Sequence, residues 1–226
     1  MYSLRFGELY EGGFYHVYNR GVDKRVIFHD KKDIERFILL VQAVNSEQKI
    51  EGISHLQRGD IQEFIQEISR EQQLVHIISF SLVRNHFHFV LRQNKKDGIS
   101  RFMQKVSAGY AKYYNQRYDR VGALFQGRFK FTCIETDEKL MRLIAYVNRN
   151  HEIHEQNTPT CRPPRTTSGH QHYIDFGNDI RSFVLVEEGL SLFGNSKNYQ
   201  RISREVVRET IQNRTMNKEI KNELLE

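Results

Sequence analysis

The sequence predicts an α+β fold: a split β-α-β antiparallel sheet with helices packed on one face, followed by a small C-terminal helical extension. Three observations predict it. Four short segments, 14–20, 74–83, 86–91 and 129–135, are rich in aromatic, β-branched and other apolar residues and read as strands. Longer segments between and after them carry apolar residues at helical spacing. Their order is β-α-(α)-β-β-α-β-α, which is the order of a ferredoxin/RRM-like sheet. Helices on one face of such a sheet leave the other face to carry a site.

The elements follow in order. Gly12 and Gly13 punctuate the start, and Phe14, Tyr15, Val17 and Tyr18 mark the first strand, which Gly21 ends. Asp30 to Asp33 open a helix, with acids suited to its N-terminal dipole, and Phe37, Leu40, Val41 and Val44 make its apolar face. A second amphipathic pattern, Ile61, Phe64, Ile65 and Ile68, predicts an inserted helix within 49–73. The runs 74–83 and 86–91 flank a polar Arg84-Asn85 turn and read as a hairpin. A long helix over 99–117 turns Phe102, Val106 and Tyr110 to the core. After the fourth strand, Thr136 and Asp137 cap a helix that runs to about His151, with Leu140, Leu143, Ile144 and Val147 on its buried face. All three prolines lie in 159–164 and mark a linker. Small helical pieces are expected over 184–193 and 199–211, with a polar end that frays.

Composition narrows the function classes. With 226 residues the chain can build one ample domain, or one domain with an appendage. No apolar run approaches the roughly 20 residues that span a bilayer, and the N-terminus has no apolar signal core, so no membrane partner is expected. Cys133 and Cys161 lack metal-ligand spacing and fit free thiols in a reducing compartment. A net charge of +6 favours a polyanionic partner, most simply nucleic acid.

The chemistry concentrates in 79–92, SFSLVRNHFHFVLR. His86 and His88 are two apart on a strand, so their imidazoles share a face while Phe87 and Phe89 share the other. Such a pair is a half-site for a divalent metal, and equally an ordinary hydrogen-bonded pair. A second segment bears on the choice. Tyr146 and Asn150, at i and i+4 on the last core helix, would project together off its apolar stripe, although packing and helix-end roles fit them too. Between the two, residues 119–130 hold two glycines, two aromatics and several basic residues, a composition suited to nucleic-acid backbone and unstacked bases, or to an ordinary loop. Tyr113 and Tyr114 are rival reactive phenols, and His16 can face the side of the histidine pair.

These segments together resemble a known family. NHFHFVL over 85–91 looks like the histidine–hydrophobe–histidine signature of HUH nucleases. YHVYNRG over 15–21, GALFQGRFK over 122–130 and YVNRN over 146–150 fall in the order seen in single-tyrosine HUH transposases, the IS200-like superfamily, and are most similar to the REP-associated tyrosine transposases of bacteria. The resemblance covers about 13–151. It departs in the long insertion, in Asn150-His151 where members often have Asn-Pro, and in Arg84 where the turn often has Pro.

The resemblance implies a catalytic domain over 1–155 with a helical insertion at about 49–73, a linker over 156–170 and a C-terminal helical extension over 171–226. It implies a transposase and endonuclease that cleaves and rejoins single-stranded DNA near hairpins. Tyr146 would be the nucleophile of a covalent 5′-phosphotyrosine intermediate. His86, His88 and Asn150 would hold Mg²⁺ or Mn²⁺. Arg20, Lys24, Arg25, Arg120, Arg128 and Lys130 are the candidate DNA contacts. The implied partner is single-stranded or hairpin DNA, in the cytoplasm with the nucleoid, and both monomers and homodimers fit the pattern. Two other classes remain open at this point: a non-catalytic single-stranded nucleic-acid binding protein, and a metal-dependent hydrolytic nuclease that uses water.

Overall fold

Strand β2, Phe14–Arg20, alternates between a helix-packed face and a second face: Tyr15 and Val17 are fully buried, while His16, Tyr18 and Arg20 point the other way. The computed structural model describes residues 5–6, 8–48, 65, 70–155, 167–168 and 183–223. Around β2 it builds a six-stranded sheet. The other strands are β1 (Arg5–Phe6), β3 (Val75–Val83), β4 (His86–Gln93), β5 (Lys130–Ile134) and β6 (Thr167–Ser168), and the sheet order is β1-β5-β2-β4-β3-β6. The four central strands are antiparallel neighbours, as the element order predicts. The short β1, parallel to β5, and β6, antiparallel to β3, are edge strands that the sequence reading did not contain.

Helices α1 (Lys31–Ala43) and α2 (Gly98–Arg117) cover one face. Asp30 caps α1 by accepting from the Asp33 amide. Phe37 of α1 meets Phe87 and Phe89 of β4 at ring distances of 5.3 and 6.3 Å, and Phe102 of α2 meets Phe89 at 6.1 Å. Gly109 lets the two helices close up, since a Cβ there would stand 3.0 Å from Leu40. Asp33 locks them. Its buried carboxylate accepts from the His29 amide, Arg117 Nη1 and the hydroxyls of Tyr113 and Tyr118 at 2.7–3.1 Å.

The second face is not bare. Register shifts between Ile77 and Ser79 of β3, a bulge that turns Ser79 and Ser81 to the same face as His88. These small side chains leave room for α3 (Asp137–Asn148), which Thr136 caps. Ser79 Oγ donates to Asn148 Oδ1 at 2.7 Å, with both residues fully buried. Helix α3 ends there. Arg149 has φ −108 and ψ 16, and its amide turns back to Ala145 and Val147. Its guanidinium holds Glu152 at 2.5 Å and Ser203 at 3.5 Å. The helix expected to reach His151 is therefore two: α3, and α4 from Asn150 to Glu155.

The C-terminal extension joins the same core. Val184 bridges Ile77 of β3, α5 (Val186–Ser191) follows, and α6 (Ser196–Glu223) continues well beyond the expected 211. Val184, Leu190, Phe193, Tyr199 and Val206 belong to the same hydrophobic cluster as the sheet strands. Most of the stretch expected as an inserted helix over 49–73, and most of the linker over 156–170, lie outside the described residues. Among the described residues no helix is long and apolar enough to cross a membrane.

Candidate active site

The antiparallel register of β2 and β4 assembles the site. Arg20 stands opposite His86, Tyr18 opposite His88, and His16 opposite Val90. All lie on the face that α3 crosses. His86 and His88 have ring centroids 5.0 Å apart and planes perpendicular, 87°. The ring of Tyr146, on α3, stands edge-on to His88 at 6.3 Å. Residues 86, 88 and 146 are thus brought together from a strand and a helix.

Hydrogen bonds hold both imidazoles by Nδ1. His86 Nδ1 lies 2.7 Å from Asn85 Oδ1, and Asn85 Nδ2 donates to the Lys24 carbonyl at 3.1 Å, which orients the amide. An amide oxygen only accepts, so His86 carries its proton on Nδ1 and its lone pair on Nε2. His88 Nδ1 lies 2.9 Å from His16 Nε2, and the two rings lie edge to edge with centroids 5.1 Å apart and planes 15° from parallel. Burial pushes the pKa of His16 down to about 4, so this ring is neutral at pH 7.

Asn150 is fully buried, and neither its amide oxygen nor its nitrogen has a hydrogen-bond partner. Buried amides are nearly always bonded, so such an orphan asks for a partner, and a cation is one kind. Its place comes from the turn at Arg149, not from helical repeat with Tyr146. Among the described residues no three His, Cys, Asp or Glu side chains cluster for a metal. Two imidazoles and one amide oxygen are donor types that a divalent cation takes, and Asn150 itself opens α4, which packs on β3 and α6.

The predicted basic residues separate into groups. Arg20 points from β2 on the histidine face, its Nε bonded to Gln126 Oε1. Lys130, paired with Tyr18, is on the same face. Lys24 and Arg25 lie in the loop after β2, where Asp23 and Lys24 take left-handed φ of 54 and 58. Arg128 is exposed in the 122–130 loop. That loop is pinned to the end of β2 by Val22 N–H to the Leu124 carbonyl, Gln126 N–H to the Arg20 carbonyl and Asn19 Nδ2 to the Gly127 carbonyl. Arg120 is not with them. It lies over the Tyr114 ring at 5.8 Å and bonds Asn115 Oδ1, on α2.

The rival phenols are also on the helix-covered side. Tyr113 donates to Asp33 at 3.1 Å and Tyr114 to the Val26 carbonyl at 2.9 Å. Burial raises the pKa of both. The sequence reading did not find Asn85, Ser79 and Asn148 as supports of the site. Only Asn85, next to His86 in the turn, carried a signal.

A family model described as "Transposase IS200 like" matches residues 15–150. The chain belongs to the IS200-like transposase family. The match includes β3, β4, β5 and α3 and all of β2 but Phe14. No curated protein sequence matches the chain. Among solved structures, the transposase is similar to one described as a REP-associated tyrosine transposase bound to a REP hairpin. The TM-score is 0.50 at 13% identity, covering 78% of this chain and 87% of that one. That likeness bears out the fold predicted from the sequence. Family membership makes this chain a transposase, a DNA-processing enzyme.

Proposed function

We propose that this transposase cleaves and rejoins single-stranded DNA near hairpins by single-tyrosine HUH chemistry. The observation that carries the reading is the contact of Tyr146 with His88, on the one sheet face that also holds His86. The unpartnered buried amide of Asn150 supports it.

His86 and His88, through Nε2, and Asn150, through its amide oxygen, would hold Mg²⁺ or Mn²⁺. When bound, the cation polarises the scissile phosphate and offsets charge that develops on it. Tyr146 Oη attacks phosphorus. The new O–P bond forms as the P–O3′ bond breaks; the 3′ oxygen leaves with the electron pair and gains a proton, and the phenol loses one. The products are a 5′-phosphotyrosine and a free 3′-hydroxyl. The covalent link conserves the diester energy, so a second 3′-hydroxyl can displace the tyrosine and join strands without a nucleotide cofactor. Arg20 and Lys130 would hold phosphates beside the imidazoles, with Lys24, Arg25 and Arg128 extending the track at the end of β2. Arg120, stacked on Tyr114, would act at its margin. A hairpin is proposed as the substrate because the structural neighbour is described with one. A DNA substrate in turn suggests work in the cytoplasm at the nucleoid.

The test is a covalent-adduct assay. Labelled single-stranded hairpin DNAs are incubated with the protein and Mn²⁺ and resolved on denaturing gels beside Tyr146→Phe and His86→Ala. A protein-linked band lost in both variants is expected. Cleavage without adduct that persists in Tyr146→Phe would replace the reading with a hydrolytic nuclease. Tight DNA binding with neither cleavage nor adduct would replace it with a binding module.

A further inference from the structure

We propose that His16 is a positioning residue for the metal ligand His88: its Nε2 accepts the His88 Nδ1 proton, which orients the His88 ring and puts that ring's lone pair on Nε2, the nitrogen a cation would take. The inference rests on the metal reading above.

The geometry carries it. His16 and His88 are diagonal neighbours on adjacent central strands, set by the His16↔Val90 and Tyr18↔His88 register. Their nitrogens are 2.9 Å apart and their planes differ by only 15°. Tyr18 packs on both rings, 4.9 Å from His16 and 5.7 Å from His88, so the pair is held from the side. A strand-borne imidazole rotates about two bonds. A fixed acceptor at Nδ1 removes that freedom and selects one tautomer. His86 is already held in the same sense by Asn85, at 2.7 Å. The two imidazoles therefore each have a partner at Nδ1, one an amide oxygen and one a ring nitrogen. This matches the general pattern of metal-binding histidines, whose second ring nitrogen donates to an acceptor. His16 is used nowhere else in the proposed chemistry.

Two measurements test it. Long-range ¹H–¹⁵N correlation spectra of the metal-free protein at neutral pH report which His88 nitrogen bears the proton. Nδ1–H is expected in the wild type and a shift toward Nε2–H in His16→Phe; Nε2–H on His88 in the wild type would overturn the proposal. Mn²⁺ affinity is then measured by the electron paramagnetic resonance of free Mn²⁺. His16→Phe is expected to weaken binding about 10–100-fold, with partial recovery in His16→Gln, whose amide oxygen can accept the same proton. Circular dichroism confirms that each variant is folded, and the wild-type spectrum stands even where one is not. If His88→Ala loses Mn²⁺ while both His16 variants bind as the wild type does, the role of His16 is overturned and the metal reading survives. If the wild type binds no Mn²⁺, or His88→Ala binds equally, the metal reading falls and this inference with it.

Discussion

Ser79 Oγ donates to Asn148 Oδ1 at 2.7 Å, joining the bulged strand β3 to the last residue of the helix that carries Tyr146. Neither residue is exposed, so this bond sets where α3 lies on the histidine face. Ser79→Ala removes the Ser79 hydroxyl from the buried Asn148 amide. A loss of about 1–3 kcal/mol in urea unfolding is expected, with a drop in adduct formation beyond what stability explains. An unchanged midpoint and unchanged adduct yield would show that α3 is positioned by apolar packing alone.

Asp33 is the corresponding lock on the opposite face. Its carboxylate is fully buried and bonded by Arg117, Tyr113, Tyr118 and the His29 amide. Asp33→Ala leaves the half-buried Arg117 with Asp30 as its carboxylate partner, takes the acceptor from the hydroxyls of Tyr113 and Tyr118, and should cost about 1–3 kcal/mol. Chemical denaturation measures it. A cost below about 1 kcal/mol would mean that Asp30, which also pairs with Arg117 at 2.6 Å, carries the interaction.

The basic residues should sort by position in the salt dependence of DNA binding. Arg20→Gln and Lys130→Gln remove charge from the histidine face. Each should lower the slope of log K against log salt by about 0.7, the value for one phosphate contact on a single strand. Arg120→Gln should change it less, because that guanidinium is stacked on Tyr114 and bonded to Asn115. Equal slopes for all three variants would remove the distinction between the face and its margin.

Alkaline stability should depend on Tyr110. Its ring is fully buried, its hydroxyl donates to the Ile27 carbonyl at 2.6 Å, and burial pushes its pKa far above the usual value of about 10. A folded-state pKa raised above the unfolded one contributes stability that is complete below pH about 10 and is lost as pH rises beyond it. Tyr110→Phe should therefore lower stability at pH 7, through the orphaned carbonyl, yet flatten the decline above pH 10 by about 1.4 kcal/mol per pH unit. Parallel declines in both proteins would place the alkaline sensitivity in the other buried phenols, such as Tyr199, whose pKa burial also raises.

Much of this protein was legible in its sequence because the signals are local. The types and alternation in 14–20 and 86–91 are properties of neighbouring residues, so β2, β4 and the shared face of His86 and His88 could be read directly. The acid-rich opening of α1 at Asp30 to Asp33 and the cap at Thr136 each span a few residues and were equally plain. The bulge at Ile77/Ser79 was not, because a register shift is a relation between two strands. Nor was the end of α3 at Asn148. Helical spacing continues through Arg149 in the sequence, but bonds to Ser79 and Ser203, both distant in the chain, pull the polar turn out of the helix.

By itself, then, the sequence determined the four central strands, the main helices between and after them, the order that makes a split β-α-β sheet, and the shared face of His86 and His88. Periodicity and capping act within a few residues, and no tertiary contact is needed to express them. Only the tertiary structure decided which face Tyr146 meets, that Tyr113 and Tyr114 lie on the other, and that His16 holds His88. Those facts depend on hydrogen bonds and packing between residues about 60 or more positions apart, which local pattern does not encode.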